Sequence, residues 1–229
     1  MIKNQRTTAI IVAAGSGVRF GQDKMLIELN GKTVFARSVS AFLLPFIDEI
    51  IIVCQAKKRP IYEDILRQSS IQDPRLKFIA GGDERWQSSL KGIQAATGEL
   101  VAIHDGARPL IKAELIEKSF FAAAQAGAAL VAAPATDSIK LVDEKLANFD
   151  AIDRQKIWLA QTPQTFKKDL ILAAYAAAQA SGYQQMTDES ELVTKFLHQK
   201  VTVVKSDSTN LKITYPFDLQ VAEILSRML

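Results

Sequence analysis

Short apolar runs alternating with helix-spaced segments constrain this chain more than any other feature. Ala9–Ala14, Glu49–Cys54, Leu76–Ala80, Leu100–Ile103 and Ala128–Ala133 are brief and mostly apolar, the pattern of strands buried on both faces. Between them, Thr33–Leu44 (ended by Pro45), Ile61–Gln68, Ser88–Ala96 and Lys112–Ala126 space their apolar residues at helical intervals. This alternation predicts an α/β fold of Rossmann-like type, a mainly parallel sheet with helices on both faces. Such sheets bind ligands outside the carboxyl ends of their strands. The glycine loop after Ala14, Gly81–Asp83, and His104–Arg108 (where His104–Asp105 stop a strand) should therefore converge on one crevice.

The pattern breaks between Thr136 and Arg154. This stretch is polar, and Ser138-Ile-Lys-Leu-Val142 alternates like a strand. It predicts a β-hairpin arm over residues 136–155, which cannot bury two faces alone and packs on a partner subunit. Helices return at Lys168–Ala180 and Asp188–His198, followed by a strand at Val201–Lys205 and a last helix from Pro216. No repeat or linker divides residues 1–229, so they read as one domain.

With 48% hydrophobic residues, 229 residues can bury a full core without covalent staples. The single cysteine, Cys54, sits in an apolar run, which suits buried filler in a reducing compartment. No stretch is long and apolar enough for a bilayer, and Met1–Thr8 is too polar for a signal peptide, so a soluble cytoplasmic protein without membrane contact is expected. A net charge of +3 with scattered lysines and arginines argues against nucleic acid as a partner.

Gly15-Ser-Gly-Val-Arg-Phe-Gly21 follows a strand, and backbone amides of such a loop can ring a phosphate; an ordinary tight turn is the competing reading. A dinucleotide fingerprint would need glycine at Phe20 and an acidic residue about 20 positions on at a strand end. Gly31-Lys32-Thr33 imitates the end of an ATPase phosphate loop, but its first glycine would fall on Leu26. Both readings fail. What remains is a loop with two cations, Arg19 and Lys24, suited to a triphosphate attacked at its α-phosphorus, where charge builds on the phosphate oxygens and leaving pyrophosphate. Taken alone, Lys24 could equally be an exposed loop lysine. His104-Asp-Gly-Ala-Arg-Pro109 adds a carboxylate able to orient Mg²⁺ or a ribose hydroxyl, and an arginine for a second phosphate.

At this point the chain resembles the 2-C-methyl-D-erythritol 4-phosphate cytidylyltransferases, from Thr8 almost to the C-terminus. The motifs follow in order: Ala13-Ala-Gly-Ser-Gly-Val-Arg-Phe-Gly21 with Lys24, Gly81-Gly-Asp-Glu-Arg85 with Ser88, and His104–Pro109. Asp153-Arg154 before Trp158, Ala160-Gln-Thr-Pro-Gln164, Thr187-Asp-Glu189 and Asn210-Leu-Lys-Ile-Thr214 complete the set. The chain departs from the family at Asp23 and Met25, where proline and glutamine are usual, at Gly106 for alanine, and at Ser138 for threonine. Asp23 places a negative charge beside the triphosphate.

The resemblance implies a fold of the nucleotide-diphospho-sugar transferase type and a set of roles. Ala13, Ala14, Gly15, Ser16 and Gly17 would hold CTP through backbone groups, with Arg19 and Lys24 on its phosphates. Gly81, Asp83 and Ser88 would line the cytosine and ribose pocket. Asp105 would sit near Mg²⁺ and the reacting groups, and Lys212 beside the α-phosphate. Arg108, Ser138, Arg154 and Thr187, with Asp105 and Lys212, would bind the polyol phosphate. The arm would cross to the neighbour in a homodimer, so Arg154 would serve the other subunit's site.

The implied reaction joins CTP and 2-C-methyl-D-erythritol 4-phosphate to give the cytidine diphospho-polyol and pyrophosphate, with Arg19, Lys24, Asp105 and Lys212 as catalytic residues. The attacking phosphate is already anionic, so no strong base is needed, in keeping with a chain of two histidines. His104 reads as a structural strand-end residue, and His198, expected in a helix, as a surface or packing one. Ribitol 5-phosphate cytidylyltransferases, sugar-1-phosphate nucleotidyltransferases and a non-catalytic nucleotide-binding protein are the alternatives.

Overall fold

The structure, a computed structural model, describes residues 1–15, 20–21 and 23–228. Strand β1 (Thr7–Val12) leads to a 3₁₀ turn at Lys24–Leu26, a short ladder of β2 (Glu28–Leu29) and β3 (Lys32–Thr33), and helix α1 (Val34–Ser40). Next come β4 (Glu49–Cys54), α2 (Arg59–Gln68), β5 (Leu76–Ala80), α3 (Arg85–Ala95), β6 (Leu100–Asp105), α4 (Ala113–Ala126) and β7 (Ala128–Pro134). The second part holds β8 (Ile139–Val142), β9 (Asn148–Ile152), β10 (Trp158–Lys167), α5 (Lys168–Ala180), α6 (Glu189–Phe196), β11 (Thr202–Lys205) and α7 (Pro216–Ser226).

Seven strands form one sheet in the order β11-β7-β10-β6-β1-β4-β5. All neighbours pair in parallel except β10, which runs antiparallel to both β6 and β7. Alternation along β1 divides the core: Ile10 faces the side covered by α3, α5 and α6, whereas Ala9 and Ile11 face the side that carries α4. Helices α1, α2 and α7 close a further apolar cluster around Val34, Phe35 and Tyr62. Burying each such side chain contributes about 1.5–3 kcal/mol. Gly92 lets α3 close on β1, because a Cβ there would stand 2.5 Å from Ile10 Cγ2.

The mainly parallel sheet with two covered faces agrees with the expectation, and several element bounds are corrected. Helix α1 ends at Ser40 rather than Leu44, because the chain turns to bury Phe42 against His104, ring centroids 4.8 Å apart. Helix α3 starts at Arg85 rather than Ser88, since Gln87 Oε1 accepts from Asp83 N (2.8 Å) and Glu84 N (3.0 Å) and so secures an earlier first turn. Strand β6 does not stop at Ile103: His104 and Asp105 continue it by pairing with Ile11 and Val12. Helix α6 ends at Phe196, so His198 lies outside a helix, in a left-handed conformation with φ 51°.

Strand β10 lacks the apolar pattern of the other sheet strands. It carries Pro163, which argues against a central strand, and its polar Gln161, Thr162, Gln164 and Thr165 look unsuited to a core. Each finds a partner: Gln161 Nε2 donates to Asp207 O (2.9 Å), Thr162 Oγ1 accepts from Asp105 N (3.1 Å), Gln164 Oε1 accepts from Ser190 N (2.8 Å), and Thr165 Oγ1 donates to Ser119 Oγ (2.9 Å). The register shifts between Ala160 and Gln164, and this irregular stretch accommodates the proline. Strands β8 and β9 form the expected hairpin, a separate two-stranded sheet with mostly exposed residues. Arg154 Nη1 donates to Thr136 O (2.8 Å) and ties its base.

Candidate active site

The strand ends expected to converge do so around a cavity of about 570 Å³, a size typical of small-molecule sites. Ala13, Ala14 and Gly15 enter from β1, Gln55 follows β4, Asp83 and Ser88 follow β5, and Asp105 ends β6. The wall after β1 is held by backbone bonds from Ala13 N to Val53 O (2.8 Å) and from Gly106 N to Val12 O (3.0 Å). Gln55 Nε2 donates to Ala14 O (3.0 Å). Glycine is required at 81, because a Cβ there would meet Ala14 Cβ at 2.7 Å and Ser88 Oγ at 2.8 Å. Gly81 thus lets the β5 loop lie against the β1 loop, and Ser88 Oγ accepts from Gly82 N (3.0 Å) to fix it there.

The charged centre is Asp105. Its Oδ2 accepts from Lys212 Nζ (2.7 Å) and its Oδ1 from Arg85 Nε (2.9 Å). Arg85 Nη1 reaches on to buried Glu189, 2.9 Å from Oε1 and 3.2 Å from Oε2. Burial alone would raise the Asp105 pKa, but the neighbouring Arg85 and Lys212 cations outweigh it and hold the carboxyl well below its usual range. Arg85 shows the mirror effect: burial disfavours its charge, and Glu189 with Asp105 more than restores it, so its pKa is raised. Lys212 is carried by a segment tied to the sheet, since Asn210 Nδ2 donates to Gln161 Oε1 (2.9 Å) and Thr162 O (3.0 Å), and Ile213 N to Ala107 O (2.9 Å). Lys24 Nζ donates to Ile213 O (2.7 Å), which brings the loop lysine to the same segment.

His104 is wholly buried beneath this centre. Its Nε2 lies 3.1 Å from Arg108 O and its Nδ1 3.0 Å from Thr162 Oγ1, which in turn accepts from Asp105 N (3.1 Å). A carbonyl only accepts, so Nε2 carries the proton and Nδ1 accepts from the threonine hydroxyl. Burial lowers the His104 pKa to about 4, which keeps the ring neutral. Both nitrogens are committed to positioning Asp105 and Arg108, consistent with a structural role.

Of the sequence-predicted residues, Ala13, Ala14, Gly15, Lys24, Asp83, Ser88, Asp105 and Lys212 line the cavity, with Gly81 packed directly behind Ala14 and Ser88. Ser16, Gly17 and Arg19 lie outside the described residues. Arg108 is buried beside the cavity, 4.0 Å from Asp105 Oδ2, with Nη1 donating to Asn210 O (2.7 Å). Its Nε is buried without a hydrogen-bond acceptor among the described residues, and Arg108 is not one of the residues that line the cavity. Ser138, Arg154 and Thr187 are exposed and do not line the cavity of their own chain; Thr187 Oγ1 donates to Glu191 Oε2 (2.8 Å).

Sequence reasoning gave no role to Arg85, Glu189, Thr162 or Lys58. Arg85 and Glu189 do stand inside quoted motifs, but nothing local in a sequence joins positions 85, 105 and 189. Asp23 proves to be paired: its Oδ2 is 2.8 Å from Lys58 Nζ, and its Oδ1 accepts from Met25 N (3.1 Å). No group of three or more His, Cys, Asp or Glu side chains that could hold a metal occurs among the described residues. Mg²⁺ takes one or two carboxylates and completes its shell with water and substrate phosphates, so Asp105 would serve it once Lys212 releases Oδ2.

Comparison with known proteins shows the family and the fold. Residues 7–227 match the profile of the family described as IspD, 2-C-methyl-D-erythritol 4-phosphate cytidylyltransferase. The chain is similar to proteins of that name from Geotalea uraniireducens (39% identity, covering 95% of this chain and 95% of the relative) and Caldanaerobacter subterraneus subsp. tengcongensis (38%, covering 96% and 98%). Its fold is similar to the crystal structure of 4-diphosphocytidyl-2C-methyl-D-erythritol synthase from Anaerococcus prevotii, with a TM-score of 0.87 at 32% identity, covering 99% of this chain and 98% of that one.

Proposed function

Since the chain belongs to the 2-C-methyl-D-erythritol 4-phosphate cytidylyltransferase family, we propose that its cavity joins CTP to 2-C-methyl-D-erythritol 4-phosphate, releasing pyrophosphate. The observation that carries this reading is the convergence of Lys24, Arg85 and Lys212 on one cavity around the ionised Asp105. Attack of a phosphate on an α-phosphorus needs fixed cations and alignment rather than a strong base. The substrate phosphate is largely dianionic near neutral pH, its second pKa being about 6. His104, beneath the site, is neutral and has both nitrogens engaged.

In this reading Ala13–Gly17 and Arg19 receive the triphosphate, Lys24 balances its charge, and Gly81, Asp83 and Ser88 hold the ribose and cytosine. Lys212 turns from Asp105 toward the α-phosphate as negative charge builds there. Arg108, with its unmet buried donor, takes the phosphate of the polyol, helped by Ser138, Arg154 and Thr187. Asp105 and the triphosphate would hold Mg²⁺, which supplies charge neutralisation at the leaving pyrophosphate. The exposed arm and the placement of Arg154 away from its own cavity support a homodimer in which arms are exchanged. The single buried thiol of Cys54 suits a cytoplasmic setting. No described helix is long and apolar enough to cross a membrane.

Pyrophosphate release with CTP, UTP, GTP and ATP, each paired with methylerythritol or ribitol phosphate, tests the assignment. Release is expected for CTP with the methylerythritol substrate. Preference for ribitol phosphate would move the chain to the alternative polyol class, and no release from any pair would favour a nucleotide-binding protein.

A further inference from the structure

Asp23 is the feature least suited to a triphosphate site. Its carboxylate is on the cavity wall, next in sequence to Lys24, where the bound nucleotide would bring several negative charges. The structure supplies a compensation from a distant element. Lys58, on the turn that leads from β4 into α2, places Nζ 2.8 Å from Asp23 Oδ2 and 3.5 Å from Gly15 O. Both side chains are largely withdrawn from solvent, 16% and 17% exposed, so the pair is less screened than a surface one. Tyr62 packs under the same place, with its hydroxyl 3.4 Å from Ala13 O.

We infer that Lys58 is a nucleotide-positioning residue, the counter-charge that makes Asp23 compatible with CTP and pins the Lys24 turn to the floor of the site. Asp23 has two functions here, one per oxygen. Oδ1 caps the 3₁₀ turn that presents Lys24, accepting from Met25 N at 3.1 Å, while Oδ2 meets the ammonium. Removing the cation alone leaves a half-buried carboxylate facing the triphosphate; removing both charges leaves a neutral wall. A lysine that touched phosphate directly would behave differently, because its loss could not be repaired at Asp23. The inference rests on the CTP reading above.

The test is a double-mutant cycle on the full chain, with CTP affinity measured by calorimetry in magnesium buffer without polyol phosphate. Lys58→Met should weaken CTP binding about tenfold, the size of one close unscreened charge at a partly buried site. Asp23→Asn keeps an oxygen for the Met25 cap and should bind CTP as well as or better than the parent. The Asp23→Asn/Lys58→Met protein should return to within about twofold of parental affinity, and Asp23→Asn should improve binding more on the Lys58→Met background than on the parent, as expected of coupled rather than additive sites. Unchanged affinity in Lys58→Met, weaker binding in Asp23→Asn, or a double variant as weak as Lys58→Met would each overturn the inference. A Lys58→Met protein that does not fold leaves Asp23→Asn to decide it. Parental protein that binds no CTP would remove the functional reading and this inference together, whereas parental binding with flat variants removes this inference alone.

Discussion

Arg85 divides one guanidinium between two carboxylates that lie 84 positions apart in the chain, Asp105 and Glu189. The Asp105 contact aligns that carboxylate in the cavity; the Glu189 contact anchors the arginine from the buried first turn of α6, where the Tyr175 hydroxyl also approaches at 3.3 Å. Arg85→Gln should therefore do two separable things. It strands the Glu189 charge, costing about 2 kcal/mol of stability, less than a fully buried pair because Arg85 is 28% exposed. It also releases Asp105, lowering kcat on the order of 10²-fold. Adding Glu189→Gln should recover most of the stability in urea unfolding and none of the turnover. Recovery of both would make Arg85 a purely structural residue.

Among the elements, the parallel strands of the first half were legible because each is a short apolar run closed by a turn, and two-sided burial leaves no other use for such a run. Strand β10 was illegible for the opposite reason. Its Pro163 argues against a strand, and its buried amides and hydroxyls are satisfied by Asp207, Ser190 and Ser119, partners invisible to any local pattern. The cavity residues were readable as motifs at strand ends, while the Asp23–Lys58 and Arg85–Glu189 pairings depend on packing between distant segments. The hairpin was readable from its own alternation and lack of a second face to bury. If that arm completes the neighbour's site, Arg154→Ala and Lys24→Ala proteins, each nearly inactive alone, should regain activity when dissociated and mixed, up to about a quarter of the parental value in a random dimer population. Mixed dimers verified by mass spectrometry that stay inactive would refute the exchange.

At the scale of the whole molecule, buried titratable groups make stability fall toward acid. His104 is neutral in the fold, with a pKa of about 4, but takes a proton near 6.5 when unfolded. Between these values the unfolded chain binds more protons, so unfolding free energy declines as pH falls, by up to about 1.4 kcal/mol per pH unit. Below that window the carboxylates take over: Glu49, with a pKa of about 2, and Asp105, held lower, lose their stabilising charge as they protonate. Urea unfolding at pH 7, 6 and 5 should show the first slope, and His104→Gln should flatten it; an unchanged slope would exclude His104 as its source. The strand order carries a further consequence for the birth of the protein on the ribosome. β5, β4, β1 and β6 come from residues 7–105 and are neighbours in space, so half the sheet can assemble while synthesis continues. β10 then has to enter between β6 and the earlier-made β7, and Lys212 emerges later still. A nascent chain therefore has the cavity wall built from β1, β4 and β5 long before it has Lys212, and a product truncated before that lysine cannot hold the cavity's set of charges.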